Sequence, residues 1–256
     1  MDVVLMGMGR LGRSLAELLS PVHKIRVEAW RRGTRIPTSA DVYWICVPDH
    51  AIAEVAQQIP TGGVVLHASG ASTLEVLAPH KEVGSLHPLQ SFPGPEHRIP
   101  DPSETPVAVA GTPHAKRLAW ELAEAIGFRP FTVEGDRRAY HAAAVIAGNF
   151  ATLLLDQACL LLQQAGVDPS NAPEVLSPLM RSSLQTPPSQ PPLSCLTGPL
   201  VRGDTETVAQ HLDCIGETSP EILEIYKKLS ETAVRRLHAL GQIKSEELET
   251  WKRLLS

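Results

Sequence analysis

Asp2-Val3-Val4-Leu5-Met6 is a short apolar run of strand character, and Gly7-Met8-Gly9-Arg10-Leu11-Gly12 follows it without a break. Arg13 to Leu19 then carries its apolar residues at helical spacing. Glycines at this spacing, between a strand and a helix, point to a parallel βαβ unit whose turn holds a dinucleotide. Each glycine has a physical task. Gly7 allows the tight turn out of the strand. Gly9 leaves room for a pyrophosphate to approach the backbone. Gly12 lets the helix pack closely on the strand. The free N–H groups at the helix start would hold the phosphates, within a cradle completed by Met8, Arg10 and Leu11.

The next strand, Lys24 to Trp30, indicates which dinucleotide. NAD binders usually end this strand with a carboxylate that accepts hydrogen bonds from the ribose hydroxyls. Here it runs into Arg31-Arg32-Gly33-Thr34-Arg35, and Glu28 lies two residues too early. Guanidinium forks suit a ribose 2′-phosphate, so Arg31 and Arg32 favour NADP(H) over NAD(H). A solvated arginine loop is the plainer alternative.

Strand and helix patterns alternate through the first half. Val42 to Val47, Gly63 to His67, Val83 to His87, Val107 to Ala110 and Phe128 to Val133 read as strands. The nearly unbroken apolar strand at 42–47 is typical of a parallel strand covered on both faces. Asp49 is placed to cap a helix from His50 to Gln58. Residues 88–106 form a long proline-rich loop, and Thr186 to Leu193 is another proline-rich stretch. The pattern predicts an α/β class protein, with a Rossmann doubly wound parallel sheet over 1–133. An all-helical domain over 134–256 follows, built on one long helix from an Asp136 cap to Gln164.

Ala142 to Leu162 is apolar over about one bilayer-crossing length. Asn149, Asp156 and Gln157 within it are costly in lipid, so a helix buried between domains or subunits is expected instead. With a net charge of −5, neither nucleic acid nor an anionic membrane is an expected partner. Four cysteines without a C-x-x-C pair read as reduced thiols. Histidine spacing shows no metal motif. No signal peptide is expected ahead of a strand starting at Asp2, and a cytoplasmic location follows.

Ligands of such sheets lie at the carboxyl ends of the strands. This gathers Gly7 to Gly12, Val47-Pro48, Ser69 and His87 around one cleft, with Val47 and Pro48 on the adenosine side and Ser69 and His87 nearer the nicotinamide. On a wheel of about 100° per residue, Asn149, Thr152 and Asp156 fall within about 80° of His141, forming a polar stripe on the long helix. The stripe either faces a polar site or satisfies itself within an interface. Hydride transfer to a carbonyl or imine needs a nearby proton donor, and His87 and His141 are the candidates, with Tyr140 behind them and Asn149 beside them. Thr197 and Arg202, in Thr197-Gly198-Pro199 to Asp204, could bind an anionic substrate, or the segment is a connector capped by Asp204.

These stretches resemble a bacterial family that joins a Rossmann-like NADP-binding half to a helical half catalogued as domain of unknown function 2520. The resemblance rests on Gly7 to Gly12, Val47-Pro48-Asp49 with Ile52, Ser69-Gly70 and Leu86 to Phe92. It extends through Tyr140 to Ala144 with Asn149, and Thr197-Gly198-Pro199 with Arg202-Gly203-Asp204. The layout is similar to pyrroline-5-carboxylate reductase and the β-hydroxyacid dehydrogenases, with a C-terminal domain like that of 6-phosphogluconate dehydrogenase. It implies an NADP-linked oxidoreductase acting on a small carbonyl or imine, and a homodimer formed through the helical domain. The β-hydroxyacid dehydrogenases use a lysine one turn before an asparagine on the long helix. Here Asn149 is present, but no lysine occurs from Asp136 to Gln164. The lysine mechanism does not carry over, which leaves a non-catalytic NADP(H)-binding sensor or partner subunit as the alternative.

Overall fold

The computed structural model describes every residue except 93, 95–97, 186 and 188. The proline-rich segments at 88–106 and 186–193 therefore lie partly outside the described residues. The chain divides into two compact units, Met1–Asn149 and Phe150–Ser256. The division falls inside the long helix, beyond the point near 133 where strands give way to helices.

The first unit holds seven strands: β1 (Asp2–Met6), β2 (Arg26–Trp30), β3 (Val42–Ile45), β4 (Val64–His67), β5 (Val83–Pro88), β6 (Pro106–Gly111) and β7 (Arg129–Thr132). They lie in the order β2-β1-β3-β4-β5-β6-β7. Helices α1 (Arg10–Leu19), α2 (Ile52–Ala56) and α3 (Pro113–Ile126) connect them. Side chains alternate across a strand, and here both faces are covered. Leu5, Trp44, Leu66 and Leu86 pack with Leu15 and Leu122 on one face. Val4, Met6, Tyr43, Ile45 and Val65 pack with Ile52 and Leu77 on the other. This accounts for the continuous apolar runs of β3 and β4, which are buried throughout.

Four pairings are parallel, as is β6 with β7, but β6 runs antiparallel to β5. The sheet is thus mostly parallel rather than wholly so. A parallel neighbour needs a crossover of a dozen or more residues, usually a helix. Among the described residues between β5 and β6 there is only one short 3-10 turn, Pro102–Glu104, and β6 returns beside β5.

Asp136 caps the long helix as expected, its carboxylate accepting from the Arg138 N–H at 2.8 Å. The helix is not regular. α4 (Arg137–Val145) passes into a π turn at Ile146–Phe150, then α5 (Ala151–Gln164), which ends before Gly166 in the left-handed region (φ +90°). Among the described residues it is the one helix long and apolar enough to cross a membrane. Little of it is buried within the chain, where the sequence predicts a helix covered between domains or subunits. Ile146, Phe150, Leu153, Leu154 and Leu160 are all exposed.

The second unit adds α6 (Ala172–Ser183), α7 (Pro199–Arg202), α8 (Thr205–Thr218), α9 (Pro220–Ala239) and α10 (Ser245–Leu255). Asp204 accepts from the Thr207 N–H and Ser219 from the Ile222 N–H, capping α8 and α9. Val208, Val234, Leu237, Trp251 and Leu255 form its core.

Candidate active site

The glycine turn is built as its spacing demands. Gly7 has φ +113°, and a Cβ there would lie 2.7 Å from Val47 Cγ1 and 2.9 Å from the Cys46 carbonyl. A Cβ on Gly12 would stand 1.9 Å from the Gly7 carbonyl oxygen. These two glycines close the turn inward against β3 and α1. At Gly9 the reverse holds, since a Cβ would meet nothing within 4 Å. Gly9 is also the N-cap of α1, has no side chain to cap it, and is followed by no acidic residue in the first turn. The result is an open, electropositive helix start suited to a pyrophosphate. Arg13 Nε donates to the Met8 carbonyl at 3.0 Å and fixes the outer limb of the turn.

Register brings the neighbouring elements alongside. Met6 pairs with Trp30 on one side and Ile45 on the other, and the Gly7 N–H donates to the Trp30 carbonyl at 3.3 Å. Arg31 and Arg32 therefore leave the sheet beside the glycine turn, with Val47 and Pro48 on its opposite flank. Buried Trp30 anchors the arginine turn, its indole N–H donating to the Thr34 carbonyl at 3.0 Å while the Thr34 hydroxyl donates to Arg31. Arg31 and Arg32 are exposed. Arg32 stands 3.9 Å from Glu54, a solvated pair that leaves the guanidinium largely free for another anion. These residues fit an NADP-type dinucleotide.

At the exits of β4 and β5 the construction differs. The Ser69 hydroxyl donates to Asp49 at 2.7 Å and accepts from the Ala71 and Ser72 N–H groups at 3.1 and 2.9 Å. Asp49 thus does not cap the helix after β3, which has no side-chain cap; it holds the turn after β4. Arg137 reaches back from α4, donating to the Ser85 hydroxyl at 3.0 Å and the Ser69 carbonyl at 2.9 Å, and so ties both strand ends to the helix. Arg137 and His67 are residues that sequence reasoning missed. An arginine in the first turn of a helix opposes the macrodipole, and that oddity is the signal that could have found Arg137.

Three histidines surround this knot. Fully buried His67 accepts from the Ser69 N–H at Nδ1 over 3.1 Å. Burial first, then Arg137, pushes its pKa down to about 4, against a smaller opposing effect of Asp49. His87 Nδ1 lies 2.6 Å from the Tyr140 hydroxyl, with the two rings edge-on at 5.6 Å. Burial, then His141 and Arg137, lowers the His87 pKa to about 4, again against Asp49. Burial raises that of Tyr140, so the phenol keeps its proton. The His141 ring centroid is 6.4 Å from that of His87. Both imidazoles lie against Gly70, where a Cβ would come within 2.7 Å of His141 and 2.8 Å of His87.

A cleft of ≈ 570 Å³ opens here, lined by His87 to Ser91 on one side and by Tyr140, His141 and Asn149 among the helix residues on the other. An unbroken wheel would leave Asn149 well off the His141 line. The π turn takes up an extra residue and rotates Asn149 back by most of that angle. Thr152 and Asp156, the rest of the expected stripe, belong to the second unit, where the Asp156 carboxylate accepts from Gln157 at 3.1 Å. Thr197 and Arg202 are in the second unit, both exposed: Thr197 just before Gly198 (φ +102°), and Arg202 at the end of α7 just before Gly203 (φ +71°).

A mostly parallel sheet with a glycine turn at its carboxyl edge, followed by a helical half built on a long helix, is a Rossmann-type fold of the kind found in solved NADP(H)-linked oxidoreductases. The family described as domain of unknown function 2520 matches residues 105–233, half of the chain, and the chain belongs to that family. Among solved structures it is similar to a candidate NADP oxidoreductase from Bacteroides fragilis, at 22% identity over 91% of this chain and 98% of that one, with a TM-score of 0.75. It is also similar to a reductive aminase from Aspergillus terreus in complex with NADPH and ethyl levulinate (15% identity, 92% and 94% covered, TM-score 0.61). A third is Plasmodium falciparum pyrroline carboxylate reductase with NADP bound (12% identity, 100% and 98% covered, TM-score 0.59). No curated protein matches the chain.

Proposed function

We propose that the protein is an NADP-dependent oxidoreductase acting on a small carbonyl or imine. The observation that carries this reading is the opening at Gly9 between two closed glycines, on the same sheet edge as the histidine cleft. Gly7 to Gly12 bind the pyrophosphate, Arg31 and Arg32 the 2′-phosphate, Val47 and Pro48 flank the adenosine, and the Ser69 turn lies toward the nicotinamide. The cofactor supplies or accepts a hydride. His141 or His87 holds the proton for the reacting atom, and Asn149 orients the substrate. Thr197 and Arg202 are assigned to an anionic group of the substrate.

The exposed row Ile146, Phe150, Leu153, Leu154 and Leu160 supports a homodimer in which a second copy covers the helix. The test of the cofactor assignment is the melting temperature with NADPH against NADH. A larger rise with NADH would overturn the NADP preference, and no rise with either would overturn the reading as a whole. The helix without a lysine favours a second reading, a cofactor-binding sensor or partner subunit. It predicts NADPH binding with no hydride transfer to any oxo acid, aldehyde or imine.

A further inference from the structure

We propose that the cleft takes a carbonyl compound, neutral or anionic, through a hydrogen bond from His87 Nε2–H, and that Tyr140 is the positioning residue that keeps the proton on that nitrogen. This rests on the reading of the cleft as the substrate site of an oxidoreductase.

Tyr140 has one described partner for its hydroxyl, His87 Nδ1 at 2.6 Å. Of the two neutral groups the phenol is much the stronger acid and the bare imidazole nitrogen the stronger base, so we assign the hydroxyl as donor; Nδ1 then accepts and the ring proton goes to Nε2. Nε2 lies on the ring edge turned to Gly70 and His141, where a Cβ on Gly70 would be 3.1 Å from it. Among the described residues Nε2 has no protein partner, while the ring lines the cleft. His87 therefore offers a fixed donor without charge. A carbonyl oxygen can accept that hydrogen bond. A protonated imine carries its own N–H and needs an acceptor, which this tautomer withholds. Charge acts in the same direction. No described residue lining the cleft is a carboxylate, Asp49 is engaged by Ser69, and the Arg137 guanidinium stands behind the histidines. A cation would enter a site without a counter-charge, and an oxo acid would not.

The experiment is nitrogen NMR of full-length protein labelled in its histidine rings, with His87 assigned from a His87→Gln variant. Wild-type protein should show His87 with Nε2 protonated and Nδ1 bare at neutral pH, and Tyr140→Phe should give a mixture of tautomers. His211, bonded at Nδ1 to the Tyr226 hydroxyl at 2.9 Å, serves as the folding control and should keep its signals in that variant. With NADP⁺ present, cyclopentanone and 2-oxopentanoate should shift the His87 Nε2–H signal saturably. Pyrrolidinium, a cation of the same ring size, should require about tenfold higher concentration or more, the ratio expected from one unmatched donor. A proton on Nδ1 in the wild type, or an unchanged tautomer in Tyr140→Phe, would overturn the role of Tyr140. An equal response to pyrrolidinium, or none to either carbonyl probe in protein whose melting temperature still rises with NADPH, would overturn the carbonyl assignment and leave the cofactor reading standing.

Discussion

The two ends of the carboxyl edge of the sheet solve different problems with different materials. At β1 the chain uses backbone and empty space: two glycines pressed inward, one opened outward, and a helix start left uncapped. At β4 and β5 it uses side chains: Asp49, Ser69, Ser85, Arg137, His87 and Tyr140 bonded into a knot. A backbone site depends on local geometry and should tolerate no added bulk where it is closed. A side-chain site depends on long-range partners and should respond to proton concentration.

The largest effect should separate the glycines from one another. Gly12→Ala puts a methyl group on the Gly7 carbonyl and should cost about 3 kcal/mol or more in urea unfolding. Gly9→Val meets no protein atom within 4 Å of its Cβ, so the melting temperature of the free protein should hardly move while its rise with NADPH is lost. A Gly9 variant that destabilises the free protein as much as Gly12→Ala would erase the distinction between closed and open positions.

The histidine end should announce itself in pH. His67 and His87 titrate near 4 in the folded chain, against an ordinary histidine value of 6.5. Between those values the unfolded chain binds protons that the folded one refuses. Stability is therefore fully present above about pH 6.5 and falls as pH drops toward 4, by roughly 3 kcal/mol for each ring. The carboxylates with lowered values, such as Asp101 and Asp136, lose their contribution below this window and do not mask it. In His67→Asn the amide oxygen can take over the Ser69 N–H, and the slope of stability between pH 4 and 6.5 should fall by about half. An unchanged slope would show that the burial of His67 is not linked to folding.

The same contrast explains what could be read in advance. The roles of Gly7, Gly9 and Gly12, the Asp136 cap and the turn at Gly166 are local, and each is visible within a few residues of chain. The knot is not local. Tyr140 and His87 lie 53 residues apart, Arg137 and Ser69 lie 68 apart, and Asp49 and Ser69 lie 20 apart. Asp49 was in the right place for a cap and is claimed instead by a turn from another strand. The π turn at Ile146–Phe150 has no clear mark in its residues, and it alone brings Asn149 toward the His141 line. The antiparallel β6 was legible in principle, since a long loop without a helix cannot make a parallel crossover.

At the arginine turn the effects are smaller and concern affinity rather than folding. Arg31→Ala with Arg32→Ala removes two exposed guanidinium groups that make no buried contact, so the unfolding midpoint should stay in place. NADPH affinity should drop roughly 10- to 100-fold, the worth of one or two charge-assisted hydrogen bonds to a phosphate, with NADH affinity nearly unchanged. Equal losses for both cofactors would show that the arginines act on the pyrophosphate or not at all.

The smallest effect tests how free those arginines are. Glu54 is the described anion near Arg32, at 3.9 Å, with 78% and 65% of the two side chains exposed. Water and salt screen such a pair, so Glu54→Gln should change stability by less than about 0.5 kcal/mol. It should also let Arg32 turn fully to the 2′-phosphate and raise NADPH affinity by no more than about twofold, with the gain lost at high salt. A marked fall in NADPH affinity would mean that Glu54 holds Arg32 in its binding position, and the arginine turn would then belong with the side-chain end of the sheet rather than the backbone end.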